Sequence, residues 1–245
     1  MNKGNIKIFD SSKELADGFA EIFCKKISSL LINKNILNIA LSGGETPIEL
    51  FKVLSSDYND KIKWNNINFF WADERCVPAD SDESNYGNAD IYLFSKIRIN
   101  PANIHKINGE DNPLNESARY SKEVKDNISV RNGLPSFDVI LLGIGEDGHT
   151  ASIFPNQMGL MQSEKVYDVA FHPVSSQRRI TITGRVINNS ADVSFLVSGG
   201  NKAEIVGKIL NNKSSNKNLP AAVIAPSKGT INWYMDSDAA GQLKK

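Results

Sequence analysis

An alternation of two patterns constrains this chain most. Short runs of apolar, β-branched or aromatic residues recur along it: ILNIAL (36–41), INFFW (67–71), FDVILLG (137–143), VYDVAF (166–171), DVSFLVSG (192–199) and AAVIA (221–225). Runs of this length and composition suit strands buried on both faces. Helical patterns separate several of them, notably over 47–55, 84–95, 114–128 and 201–211. A longer amphipathic helix precedes them all, opened by a capping box of Ser11 and Glu14, with Leu15, Phe19, Ile22, Ile27 and Leu30 on one face. The order predicts an α/β fold, an open and mostly parallel Rossmann-like sheet with helices on both faces. With 245 residues and no stretch resembling a linker, one domain over 1–245 is expected. NNKSSNKN (211–218) reads as an exposed turn between a helix and a strand.

Charge narrows the partners. Lys plus Arg and Asp plus Glu both total 28, so the net charge is zero and no global basic field exists for nucleic acid or an anionic membrane. Any anion must be recognised locally. The first residues hold no apolar signal core, and no run approaches the ~18 apolar residues of a membrane-spanning helix. A cytoplasmic protein is expected, monomeric or a small homo-oligomer, with a small molecule as its partner. Cys24 and Cys76 supply neither a disulfide framework nor a zinc cluster, so no metal is expected, and Cys76 reads as an ordinary loop thiol.

Sheets of this class bind ligands at the carboxyl ends of their strands, and four loops there carry unusual chemistry. After ILNIAL comes SGGETP, in which Gly43 and Gly44 let backbone N–H groups approach a ligand, Pro47 can occupy the first position of a helix, and Ser42 and Thr46 add hydroxyl donors. A helix N-terminus behind such a turn suits phosphate, although the Walker ending is missing. INFFW runs into Asp73, Glu74 and Arg75, and the arginine can grip a phosphate or carboxylate with a forked hydrogen bond. Ser84, before Asn85, reads as a helix N-cap.

The third loop, GIGEDGHTASIFP (143–155), holds His149, a group able to take a proton from water near neutral pH, with Asp147 placed to orient it. His105 and His172 lack such surroundings and read as structural. Gly143, Gly145 and Gly148 also spell GxGxxG, with Asp168 near the spacing of a ribose-binding acid; Pro155 follows too soon for the helix a dinucleotide site needs, so nicotinamide is not expected. The fourth loop, SGGNKAEIV, brings Lys202 to a helix start, and Arg179 opens the alternating strand RITIT.

Taken in order, LSGGETP, WADERCVP, ESNYG, LLGIGEDGHTASIFP, RRITIT and SGGNKAEIV resemble the motifs of the 6-phosphogluconolactonase family across residues 41 to 206. The resemblance implies a fold similar to that of glucosamine-6-phosphate deaminases. It also implies hydrolysis of 6-phospho-D-glucono-1,5-lactone in the oxidative pentose phosphate pathway, with no cofactor. Carried onto this chain, it makes His149 the general base, with Asp147 and Arg75 beside it, and gives substrate and phosphate contacts to Ser42, Gly43, Gly44, Thr46, Asp73, Arg75, Arg179 and Lys202. The tandem Arg178–Arg179 leaves open which arginine faces the ligand. In the related deaminases GHIAFNEP-like and MDEY-like strings are expected, where this chain has GHTASIFP and ADERCVP. A sugar-phosphate-sensing regulator would share the fold without catalysis and would need a DNA-binding segment.

Overall fold

Six strands hydrogen-bond in parallel, and the order in which they do so fixes where a ligand can sit. The computed structural model describes residues 4–211 and 216–244, so part of the turn expected over 211–218 lies outside the described residues. In chain order the elements are β1 (Asn5–Phe9), α1 (Ser12–Leu30), β2 (Leu37–Leu41), α2 (Glu45–Asp57), β3 (Ile67–Trp71), β4 (Asp73–Arg75), α3 (Asn85–Tyr92) and α4 (Pro113–Asn127). There follow β5 (Val130–Arg131), β6 (Leu134–Pro135), β7 (Val139–Leu142), β8 (Tyr167–Phe171), β9 (Arg178–Ile182), α5 (Gly184–Asn188), β10 (Asp192–Val197), α6 (Ala203–Asn211), α7 (Pro220–Val223) and β11 (Thr230–Asp236).

The main sheet runs β1-β11-β10-β7-β2-β3, all pairs parallel, with helices around it. Its three central strands are those whose sequence is an almost unbroken apolar run: all of β7 and β10 and nearly all of β2 are buried. Between β10 and β11 the core is consolidated by Phe195 stacked on Trp233, ring centroids 4.1 Å apart. Helix α1 packs on β11 and α2. Its capping box forms in altered shape, since Ser11 Oγ accepts from the Glu14 amide while Glu14 accepts from the amide of Asp10 instead of Ser11. Among the described residues, no helix is long and apolar enough to cross a membrane.

Three assignments change. AAVIA is not a strand: Pro220 starts the short helix α7, an allowed place for a residue lacking its N–H. The strand beside β10 on that side of the sheet is β11, between β10 and the edge strand β1, and polar residues interrupt its apolar pattern. Asn232 is buried there because Asp192 accepts from its Nδ2 at 2.9 Å, within a network that also holds Lys26, Ser194 and Thr230. VYDVAF does form a strand, β8, but in a separate antiparallel sheet ordered β4-β9-β8. That small sheet grows from the end of β3, where Ala72 donates to Leu41 O and accepts from the amide of Ile182. It therefore stands over the carboxyl end of the main sheet.

Candidate active site

The chain leaves β2 outward to β3 and leaves β7 the other way to β10, so the sheet order reverses between β2 and β7. Such a reversal opens a crevice at the strand ends. A cleft of about 240 Å³ lies there, lined by Ser42, Gly43 and Gly44 after β2, Gly143, Gly145 and His149 after β7, Asp73, Arg75 and Arg179 from the small sheet, and Lys202. A second lobe of about 270 Å³ shares Gly43, Gly44, Gly143 and Lys202 with it and adds Thr46 and Ser198. Every catalytic or substrate-contact residue that the resemblance implies borders one lobe or the other, except Asp147, which stands behind His149.

That histidine is held tightly. Asp147 Oδ1 lies 2.6 Å from His149 Nδ1 and also accepts from the His149 amide at 3.0 Å. A carboxylate only accepts, so Nδ1 carries the proton and the Nε2 lone pair is left for the cleft. Burial alone would raise the Asp147 carboxyl, but the ring and amide of His149 outweigh it and hold the carboxyl below its ordinary range. Phe154 packs against the other side of the imidazole at 4.7 Å. The dyad fits because position 145 is glycine: a Cβ there would lie 2.1 Å from His149 Nδ1 and 2.6 Å from Asp147 Oδ1. The GxGxxG string thus serves a tight turn, and the next helical segment is the 3-10 turn Pro155–Met161 instead of a dinucleotide-binding helix.

The cations converge from two directions. Arg75 and Arg179 face each other in the β4–β9 register, a placement that repels unless an anion lies between or beside the two charges. Arg179 is half-buried, and burial pushes its guanidinium below the usual range while Asp73 partly restores it. Arg178, one residue earlier, is exposed, so the structure puts Arg179 and not its neighbour at the cleft. Asp73 is buried and accepts from Ser152 Oγ at 2.6 Å. Among the described residues five buried polar side-chain atoms lack a hydrogen-bond partner, and three of them, Arg75 Nε, Arg179 Nε and Asn85 Oδ1, belong to cleft residues. Concentration of unmet polar groups in one cleft marks a ligand site.

In the second lobe, helix α2 begins two residues earlier than Pro47, with Gly44 as N-cap and no side chain capping it. Its first amides are left for a ligand, and Pro47 falls where a missing N–H costs nothing. Thr46 Oγ1 and Ser198 Oγ lie 2.6 Å apart and tie this turn to the loop after β10. Ser42 contributes differently from expectation: its hydroxyl donates to Leu141 O at 2.9 Å, which joins β2 to β7 and leaves only acceptor capacity for the cleft. Lys202 is half-buried, with Nζ 4.0 Å from Glu146. Its loop is fixed by a residue that no local pattern singles out: buried Asp236 accepts from the Gly199 amide at 3.0 Å, and Gly199 adopts a φ of +95° that favours glycine.

Two positions are structural. His105 stacks on Phe70 at 4.3 Å and bonds Glu123, away from the cleft. Ser84 caps α3, accepting from the Gly87 amide. Burial pushes the Cys76 thiol up to about 11, which removes it as a nucleophile near neutral pH. His172 meets Phe154 edge-on at 5.4 Å, one ring away from His149.

A family model for glucosamine-6-phosphate isomerases and 6-phosphogluconolactonases matches residues 10–233. The chain belongs to that family. Among its curated relatives, the 6-phosphogluconolactonase of Aggregatibacter actinomycetemcomitans is 43% identical over 207 residues, covering 84% of this chain and 87% of the relative. That of Treponema pallidum is 35% identical over 222 residues, covering 91% and 90%. The crystal structure of the devB protein superposes with a TM-score of 0.92 at 41% identity, covering 98% of this chain and 99% of that one. Within the family the chain is an enzyme of the lactone hydrolase class.

Two outcomes follow from the dyad. Gly145→Ala displaces the imidazole and is expected to cut kcat on the order of 100-fold with little change in the melting temperature, measured by lactone hydrolysis and thermal denaturation. In an NMR titration the Asp147 carboxyl titrates below the ordinary aspartate range, so its charge and its contribution to the fold persist above that range and are lost only as pH falls through the lowered midpoint. In His149→Ala the same midpoint rises, because burial then acts without the compensating bonds.

Proposed function

We propose that the chain hydrolyses 6-phospho-D-glucono-1,5-lactone to 6-phospho-D-gluconate, the lactone-opening step of the oxidative pentose phosphate pathway, with water activated by His149. The observation that carries this reading is the 2.6 Å Asp147–His149 pair, which leaves Nε2 free for a proton beside a separate lobe built for an anion.

In the first step Nε2 takes a proton from water as the water oxygen bonds to the lactone carbonyl carbon. The carbonyl π electrons move to oxygen, and Arg75 stabilises the resulting oxyanion, a kind of contact worth about 3 kcal/mol. As the tetrahedral adduct collapses, the bond to the ring oxygen breaks and the imidazolium returns the proton to that oxygen. Water is consumed, the product is a carboxylic acid that ionises, and no covalent enzyme intermediate forms. Asp147 holds the ring in the required tautomer and stabilises the transient imidazolium.

The phosphate has a separate task. Lys202, Arg179 and the first amides of α2 hold it, so that one face of the carbonyl meets the water. Asp73 and the Gly43–Gly44 turn complete the substrate contacts.

The test uses freshly generated lactone, with spontaneous opening subtracted, and glucosamine 6-phosphate deamination run in parallel. Rapid lactone opening without deamination is expected. His149→Asn lowers kcat roughly 10²- to 10⁴-fold with KM little changed, whereas Lys202→Ala raises KM about 10-fold or more. Full turnover in His149→Asn would remove the proposed base.

A further inference from the structure

Asn85 opens helix α3 and is only 2% exposed, yet it borders the cleft. Its amide N–H donates to Glu74 Oε1 at 2.8 Å, and its Nδ2 donates to the carbonyl of Asp73 at 2.8 Å. The second bond decides the side chain's orientation, because only the NH₂ end can face a carbonyl. Glu74 itself is buried and accepts from the amides of Arg75 and Tyr86 as well, so the mount of Asn85 is rigid. What remains is Oδ1, a fixed, buried acceptor with no hydrogen-bond partner. Native proteins rarely leave such an atom unpaired without a ligand or a function to account for it.

The surroundings identify what would pair with it. Oδ1 lies against Gly43, where an added Cβ would be 1.8 Å away, so only a backbone without a side chain separates it from the cleft. The next residue, Gly44, is exposed and has a φ of +107°, a backbone that glycine alone readily adopts. The oxygen requires a donor, and Arg75, Arg179 and Lys202 around the same cleft disfavour a cationic one. A neutral hydroxyl remains.

We propose that Asn85 is a specificity-determining residue, its Oδ1 accepting a hydrogen bond from a ring hydroxyl of the sugar lactone as the Gly43–Gly44 turn yields to admit it. This rests on the cleft beside His149 being the substrate site. Asn85 then reads the sugar, while Lys202 and Arg179 read the phosphate. Gly43 is required for the same reason, since any side chain there would displace the acceptor.

The experiment compares kcat/KM for the phosphorylated lactone with that for its monodeoxy analogues, one for each ring hydroxyl, in the wild-type enzyme and in Asn85→Ala. The wild type is expected to lose roughly 10-fold or more on one analogue, because a site built to bind a hydroxyl rejects the compound lacking it. Asn85→Ala is expected to lose a similar factor on the full substrate and nothing further on that analogue. Equal losses by Asn85→Ala on every analogue would mean a purely structural role and would overturn the proposal. If Asn85→Ala does not fold, the wild-type series decides alone: analogues all within about 3-fold of the full substrate would also overturn it. Neither result touches the assignment of the site, which stands or falls separately with His149→Asn.

Discussion

The parallel pairing of β2, β7 and β10 places three glycine-containing loops on one edge of the sheet, and the remaining features of the site are arranged around that edge. Parallel strands all point their carboxyl ends the same way, so residues as distant as Thr46 and Ser198 come within 2.6 Å. The reversal of strand order between β2 and β7 leaves a gap there that no crossover fills. The antiparallel β4-β9-β8 sheet, hinged at Ala72, then carries Asp73, Arg75 and Arg179 over the same gap.

In the proposed function, local electrostatics lets a chain of zero net charge hold an anion. Arg75 and Arg179 are neighbours across two strands, Lys202 stands at another loop, and the uncapped start of α2 contributes oriented amides. Opposing carboxylates keep this concentration of positive charge compatible with folding: Asp73 raises the Arg179 guanidinium against its burial, and Glu146 lies near Lys202. In the proposed function this cationic field, which lines the same cleft as the His149–Asp147 pair, anchors the phosphate through Lys202 and Arg179 while Arg75 serves the reacting carbonyl. The distinction matters because contacts to a remote phosphate accelerate the reaction only through the orientation they impose on the carbonyl.

Much of this arrangement could be read from sequence because its determinants are local. ILNIAL, FDVILLG and DVSFLVSG are buried on both faces and therefore mostly apolar, and the loops after them hold the glycines, the histidine and the lysine. Strand β1 escaped notice because its side chains are mostly exposed at a sheet edge, and β11 because Asn232 and Asp236 interrupt its pattern. Their burial depends on partners 37 to 40 residues away, Gly199 and Asp192. The same limit applies to Asp236, Ser152 and Asn85, whose contributions to the site are tertiary: Ser152 meets Asp73 across 79 residues. Ser42 shows the converse, a hydroxyl in a motif position whose proton the fold uses for Leu141 O.

The central claim is that one two-lobed cleft holds both proton transfer at His149 and phosphate anchoring at Lys202, Arg179 and the start of α2. A crystal structure with 6-phosphogluconate bound tests it most directly. The account predicts the product carboxylate within hydrogen-bonding distance of His149 Nε2 and the phosphate on Lys202, Arg179 and the first amides of α2. A phosphate seated against His149, or a product bound away from the β2–β7 crevice, would contradict it.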